Sequence, residues 1–363
     1  MNKRANASAL ATLATLIAAP FAARAADAPS ASPAVATSYS VVMSSTVKGQ
    51  LTVVNRGNGE RQSSLKFDDR GRGPDQRTSN RYDAHGIPES YTLDGVNYAK
   101  RPVLERFAAT NGRANWSSAA DKGESDANGF YLPNESNAED LAALARAALQ
   151  AGDGGLTLLP AGRAHIYKKI ERTVGTGTAR VPATLYLITG INLEPTPVWL
   201  DGRQELFAAA SNWISFVKAG FETALPELIE AQEQVLAVDA GVRATAMRRK
   251  PDRPIVLRNA RVFVPESRRM LSEMSVLIRD ERIEAVGPRK DVAIPKDAEV
   301  IDVQGKVLLP GMWDMHAHVL SQNDGVLNLL AGVTGVRDLG NDMDTLQRLT
   351  YMEIGRASCR ERV

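Results

Sequence analysis

His316 and His318 are the residues of this 363-residue chain whose types and spacing point most directly to chemistry. They fall in LLPGMWDMHAHV (residues 308–319), where an apolar run meets the turn pair Pro310-Gly311 and a short strand begins. On a strand, residues two apart project from the same face, so the two imidazoles stand side by side. Neutral imidazole is a ligand for divalent transition ions, and two of them on one strand are half of a metal site. Asp314 shares their parity and is expected on the same face, supporting the ligands rather than binding the ion. A bare H-x-H is also the pattern of two core histidines, so the surrounding elements decide.

Upstream, strand patterns run through IVLRNARVFV, SVLIRD, RIEAVG and AEVIDVQGKVLLPG, a small hairpin-rich sheet leading into Pro310-Gly311. Downstream, residues 326–330 read as a helix, 334–338 as a second strand parallel to the first, and 344–352 as a second helix. Together, VLRNARVF, IRDERIEAVG, VIDVQGKVLLPGMWDMHAHV and LLAGVTGVRDLGN resemble the amidohydrolase superfamily of metal-dependent hydrolases over about residues 254–342. The AGVTGVRDLG stretch is most similar to its imidazolonepropionase and prolidase-like branch.

That resemblance implies a TIM barrel joined to a small β-sandwich. The chain would hold the N-terminal part of the sandwich (251–311) and the first two βα units of an incomplete barrel (312–352). His316 and His318 would then sit at the C-terminal ends of the strands, where such barrels place their sites. The implied cofactor is Zn2+, as one or two divalent ions, and the implied substrate is a small-molecule amide, cyclic amide or dipeptide-like compound. An ion so held lowers the pKa of its water from about 16 toward about 7 and polarises the carbonyl under attack. Asp338 and Arg337 end the second strand near the site, as candidate supporting or substrate-facing residues. The family's remaining ligands and its general base come from later strands, and no histidine follows His318. The parent protein is therefore expected to be an enzyme, and the chain as written an inactive portion of it.

Both ends are expected to lie outside the fold. Residues 1–25 have a basic start, an apolar run and the small-residue ending Ala23-Arg24-Ala25, a secretory signal peptide implying a periplasmic or secreted protein. The apolar run is too short to span a bilayer and Pro20 interrupts it, so no membrane anchor is expected after cleavage. The tail EIGRASCRERV (353–363) resembles the in-frame translation of a short-read sequencing adapter, and carries the sole cysteine, Cys359. The whole chain has a net charge of +2; without these two segments it is −2, which gives no electrostatic case for nucleic acid. The remainder is also cysteine-free, so disulfides play no part.

An α+β multidomain chain is the expected class. Residues 26–37 read as an Ala/Pro/Ser linker and 38–220 as a β-rich antiparallel accessory domain, with turns at residues 57–59, 69–71, 94–95 and 111–112. Ser136 and Glu139 have capping-box spacing before an apolar face of Leu141, Leu144, Ala145, Ala148 and Leu149, and Gly152 ends that helix. A hairpin is expected to turn at Asp201-Gly202. Arg70, Arg72 and Arg77 near one turn make either a solvated loop or an anion site, and His85 and His165 read as structural or surface residues. Residues from about 212 to 248 read as helix, with Phe216, Phe221, Leu225, Leu228 and Ile229 on its buried side and Pro226 bending or dividing it, and 221–250 as the connection to the second domain. A second reading of the whole is a non-catalytic β-rich binding module with a vestigial hydrolase segment.

Overall fold

A computed structural model describes residues 34–126, 128–175, 180–247, 251–319 and 322–340. The expected signal peptide, most of the expected linker, the helix expected over 344–352 and the adapter-like tail lie outside the described residues. Among the described residues, no helix is long and apolar enough to cross a membrane.

The larger part of the chain is one fifteen-stranded sheet. It begins with β1 (Val35–Met43), β2 (Thr46–Asn55), β3 (Glu60–Phe67) and β4 (Asp75–Tyr82). The meander continues through β5 (Pro88–Val96), β6 (Pro102–Thr110), β7 (Arg113–Ser117) and β8 (Lys122–Asp126), each strand antiparallel to the next. After β9 (Phe130–Tyr131) and helix α1 (Ala138–Ala151) come β10 (Leu156–Leu159), β11 (Arg163–Val174) and β12 (Val181–Thr189). β13 (Thr196–Asp201), β14 (Leu206–Ala209) and β15 (Ile214–Lys218) follow, and β15 returns to pair antiparallel with β1. The order thus runs from β8 back to β1 and then from β15 back to β9.

One end of this sheet packs back on the strands near the other. Tyr131 of β9 stacks on Phe107 of β6 with 4.5 Å between ring centres, in a cluster with Tyr91, Leu93, Trp116 and Leu159. The sheet curls around α1, whose small residues Ala142, Ala143, Ala145, Ala147 and Ala148 are buried, consistent with a helix enclosed on most sides. Strict alternation explains the first half: on β3 and β4, Ser63, Leu65, Phe67, Gln76, Thr78 and Asn80 are buried while Ser64, Lys66, Arg77 and Ser79 are exposed.

The second half reads differently because both faces are covered. Leu200 and Leu206 pack with α1, whereas Leu185, Leu187, Trp199, Phe207 and Val217 pack with Leu225, Leu228 and Ala231 of helix α2 (Leu225–Met247). Near-continuous apolar runs such as PVWL and LFAA follow from that double cover.

Four local expectations are corrected. Residues 214–218 form a strand, not helix: Ile214, Phe216 and Val217 are β-branched or aromatic, and β1 offers them a free edge. Pro226 lies in the first turn of α2, where a missing N–H costs nothing, so it neither bends nor divides the helix. The cap of α1 is Asn137 with Asp140, one residue later than the Ser136 and Glu139 spacing. Asp94-Gly95 lies inside β5; the turn is at residues 97–101, and Gly95 is needed because a Cβ there would come within 2.0 Å of the Asp75 carbonyl oxygen.

Past α2, a five-stranded sheet contains β16 (Ile255–Val264), β17 (Arg269–Arg279), β18 (Arg282–Pro288), β19 (Glu299–Asp302) and β20 (Val307–Leu308). β16, β17 and β18 form an antiparallel meander, while β19 and β20 pair parallel to β16. Its buried cluster is small: Val256, Leu277 and Val292, with Ala285 and Ala298 against them. Last come β21 (Met312–Ala317), helix α3 (Gln322–Leu330) and β22 (Val333–Asp338), with β22 parallel to β21.

Candidate functional site

The β21–α3–β22 unit positions the two histidines. Two parallel strands joined by a helix require a close approach at the start, and Gly311 provides it: a Cβ there would lie 2.1 Å from Thr334 Oγ1. Pairing runs Met312 to Val333, Trp313 to Gly335 and Asp314 to Val336, then resumes with Ala317 opposite Asp338. Three steps on β21 therefore match two on β22, an extra residue that bends the strand just before the imidazoles. Asp314 sits at this irregularity, and its Oδ1 accepts the backbone N–H of His316 at 3.0 Å. Its carboxylate thus fixes the backbone that carries His316.

The imidazoles of His316 and His318 lie together, with ring centres 5.4 Å apart and planes inclined by 53°. Both are exposed. His318 rests on Gly340, where a Cβ would fall 1.9 Å from Nδ1. Asp338 closes the other side: Oδ2 accepts the Val319 N–H at 3.0 Å and Oδ1 the Gly340 N–H at 2.8 Å, while the Leu339 N–H donates to the Ala317 carbonyl at 3.0 Å. Arg337 is exposed and, next to Asp338 on a strand, projects from the opposite face.

Two nitrogen donors suit a borderline-soft divalent ion such as Zn2+, which prefers imidazole and thiolate ligands and takes four in all. Among the described residues, no group of three or more His, Cys, Asp and Glu is placed to hold a metal. The pair fits half of such a site by donor type. His85, in an exposed turn, and His165, on β11, stand apart from it.

The interior of the fifteen-stranded sheet, around α1, holds polar groups that the sequence does not advertise. Glu105, 2% exposed, accepts from the Tyr131 hydroxyl at 2.6 Å and from the Asn134 N–H at 2.9 Å, anchoring the chain that leads into α1. Asp140 accepts the Asn137 N–H at 2.9 Å and has Asn80 and Tyr91 at 3.5 Å. Burial pushes its carboxyl up to about 7, with Glu139 and Glu105 adding repulsion against the Asn137 and Asn80 hydrogen bonds. Nearby, Arg61 and Arg146 bridge Glu139 and Glu205, joining β3, α1 and the β13–β14 turn. The expected arginine cluster divides: Arg70 and Arg72 both pair with Asp69, and Arg77 stands on the outer face of β4.

Comparison with known protein families finds no match. Among individual proteins, the chain is 50% identical over 46 residues to a dihydroorotase of Mycobacterium tuberculosis, and 33% identical over 84 residues to adenine deaminase 1 of a Jannaschia species. These alignments cover 13% and 23% of this chain, and it spans only 10% and 14% of those relatives. Among solved structures, one described as a prolidase, from Bifidobacterium longum, aligns with 27% of this chain and 26% of its own at 26% identity and a TM-score of 0.26. A β-barrel-like protein of unknown function from Brucella abortus aligns with 50% of this chain and 94% of its own at 10% identity and a TM-score of 0.32.

Proposed function

We propose that this chain belongs to a secreted or periplasmic metal-dependent amidohydrolase that hydrolyses a C–N bond in a small amide, cyclic amide or dipeptide-like substrate. His316 and His318 are two of the ligands to its ion, which we take to be Zn2+. The observation that carries this reading is the pair of imidazoles 5.4 Å apart at the end of the first of two parallel strands joined by a helix. That unit is the repeat from which a TIM barrel is built, and its strand ends are where such barrels work. The dihydroorotase and adenine deaminase to which stretches of the chain are similar both act on C–N bonds, which supports the bond class.

The chain's own residues supply placement. His316 on β21 and His318 just past its end offer adjacent ring nitrogens, and Asp314 fixes the backbone bend from which His316 projects. A divalent ion held by them, with the ligands that later strands contribute, supplies an activated water and an electrophile for the carbonyl. The basic, apolar and small-residue segments of residues 1–25 support export, and residue 26 is the expected first residue of the mature protein.

The test is made on the parent protein. Purified from zinc-supplemented medium, it should contain bound zinc and hydrolyse members of a panel of cyclic ureides and N-acyl or dipeptide amides. Replacing both His316 and His318 by Ala should remove the metal and lower hydrolysis by at least about a thousandfold, since the activated water is lost. Full metal content and full activity in that double variant would overturn the assignment.

A further inference from the structure

We propose that Asp338 and Gly340, at the end of β22, are positioning residues that set where His318 presents its ring nitrogen to a divalent cation. The inference rests on reading the histidine pair as a metal site and adds to it a reason why the neighbouring strand is built as it is.

Consider first what holds His318. It lies just beyond the last residue of β21, where no strand pairing of its own constrains it. Three hydrogen bonds bracket it instead. The Leu339 N–H donates to the carbonyl of Ala317, the residue before the histidine. The Val319 N–H, from the residue after it, donates to Asp338 Oδ2, and the other oxygen of the same carboxylate accepts from Gly340. One carboxylate thus ties the two strand ends together on either side of the imidazole. Only an ionised Asp or Glu has two acceptor-only oxygens for two N–H groups, and hydrogen bonds to a charged acceptor are roughly twice as strong as neutral ones.

Gly340 completes the arrangement through space rather than backbone freedom. Its φ lies outside the left-handed region, so other residues could adopt the backbone. A Cβ at that position would stand 1.9 Å from His318 Nδ1, 2.8 Å from Cε1 and 3.0 Å from Cγ. The whole ring therefore lies against the bare Cα, and any side chain at residue 340 must push the imidazole away. Asp314 serves His316 in a different way, from its own strand and through one N–H. The two histidines are consequently held by independent carboxylates, and His318 depends on β22.

The experiment uses the full chain in metal-free form, titrated with Zn2+ by calorimetry and with Cu2+ followed by electron paramagnetic resonance, which counts coupled imidazole nitrogens. Wild type should bind one ion with two coupled nitrogens. Asp338→Ala should weaken binding about 10- to 100-fold, the usual effect of removing a group that orients a ligand. Asp338→Asn keeps one acceptor oxygen and should fall between. Gly340→Ala leaves Asp338 intact and should reduce the coupling to one nitrogen, a signature that general destabilisation does not produce. Amide exchange at Val319 and Gly340 should quicken in Asp338→Ala. Wild-type affinity and two coupled nitrogens in both Asp338→Ala and Gly340→Ala would overturn the inference. Should the double His316→Ala, His318→Ala variant bind Zn2+ as wild type does, the metal-site reading itself fails. The His318 imidazole resonance of the metal-free protein then decides the positioning: it shifts in both variants if the bracket holds the ring, and stays in place if it does not.

Discussion

At the scale of single residues, what could be read in advance and what could not divide by distance along the chain. The histidine pair was legible because two residues apart on a strand is a local rule, and the structure places the rings 5.4 Å apart. Asp140 was not legible, because its surroundings come from Asn80 and Tyr91, 60 and 49 positions away, and exist only once the sheet has curled around α1. Its environment has a measurable consequence. Burial raises its folded-state pKa from the usual 3.8 to about 7, so the native state holds a proton that the unfolded chain releases. Such a group leaves stability intact below about pH 4 and costs stability progressively as pH rises toward 7, roughly 2–4 kcal/mol in all. Glu205 acts in the opposite sense at lower pH: despite burial, Arg61 and Arg146 hold its carboxyl below the usual range, and that contribution is lost under acid. Stability should therefore peak near pH 4–5, with Asp140→Asn flattening the decline toward neutrality; urea unfolding midpoints across pH 4–8 measure both. A midpoint that rises through this window in wild type would contradict the assignment. The Arg61 network gives a second residue-level expectation. Arg61 and Glu139 are 14% and 2% exposed, so Arg61→Met should cost about 2 kcal/mol by leaving the buried Glu139 carboxylate with Arg146 as its one remaining arginine. Lys66→Ala, which breaks a pair 75% and 40% exposed, should cost about 0.5 kcal/mol or less in the same assay.

At the scale of elements, periodicity located most strands and α1, and failed where one residue type serves two structures. Ile214, Ser215, Phe216, Val217 and Lys218 precede a long helical stretch with no Pro or Gly among them, so a helix starting early was a fair reading. What decides for strand is the exposed edge of β1, a feature some 175 residues away that no local window contains. The role of α2 shows the same limit. It was expected to connect two domains with Leu225 and Leu228 on a buried side, and both are buried; what no local window contains is the partner surface of Trp199, Phe207 and Val217, with Gln232 hydrogen-bonding the Trp199 indole at 3.3 Å and the Ala210 carbonyl at 3.0 Å. α2 is thus the outer cover of the β12–β15 half of the sheet. Leu228, fully buried, should cost about 2–4 kcal/mol when changed to Ala, as core leucines do. Val238, 68% exposed on the same helix, should change stability by under about 0.5 kcal/mol when changed to Ala. Chemical denaturation of the two variants separates a packed helix from a tether, which would show equally small losses.

At the scale of the whole molecule, burial is unevenly shared, and that distribution sets the order in which the chain opens. The fifteen-stranded sheet contains three buried clusters, one of which packs β9 and β10 against β5, β6 and β7. The five-stranded sheet has one small apolar cluster of three buried side chains, Val256, Leu277 and Val292, and among the described residues β21 and β22 pair only with each other. Trp313, Met315 and Leu330 of this last unit are 56%, 58% and 78% exposed, together with Met312 and Leu329. A two-stranded sheet is marginal by itself, and apolar side chains in such numbers at its surface gain little from staying folded in water. Local opening free energies scale with buried apolar contact, so amides of β21 and β22 should exchange with deuterium at least about a hundredfold faster than those of β1, β12 and β13. The same contrast should appear in limited proteolysis as early cuts after residue 250 and a resistant product covering about residues 34–247. Divalent zinc should narrow the gap only at β21 and β22, because an ion bound to the folded form alone stabilises by RT ln(1 + [L]/Kd) and touches nothing in the larger sheet. Exchange measured with and without zinc on wild type and on the His316→Ala, His318→Ala variant therefore ties the site to the least stable element of the fold. Uniform protection across all three sheets, or zinc-dependent protection that survives loss of both imidazoles, would break that link.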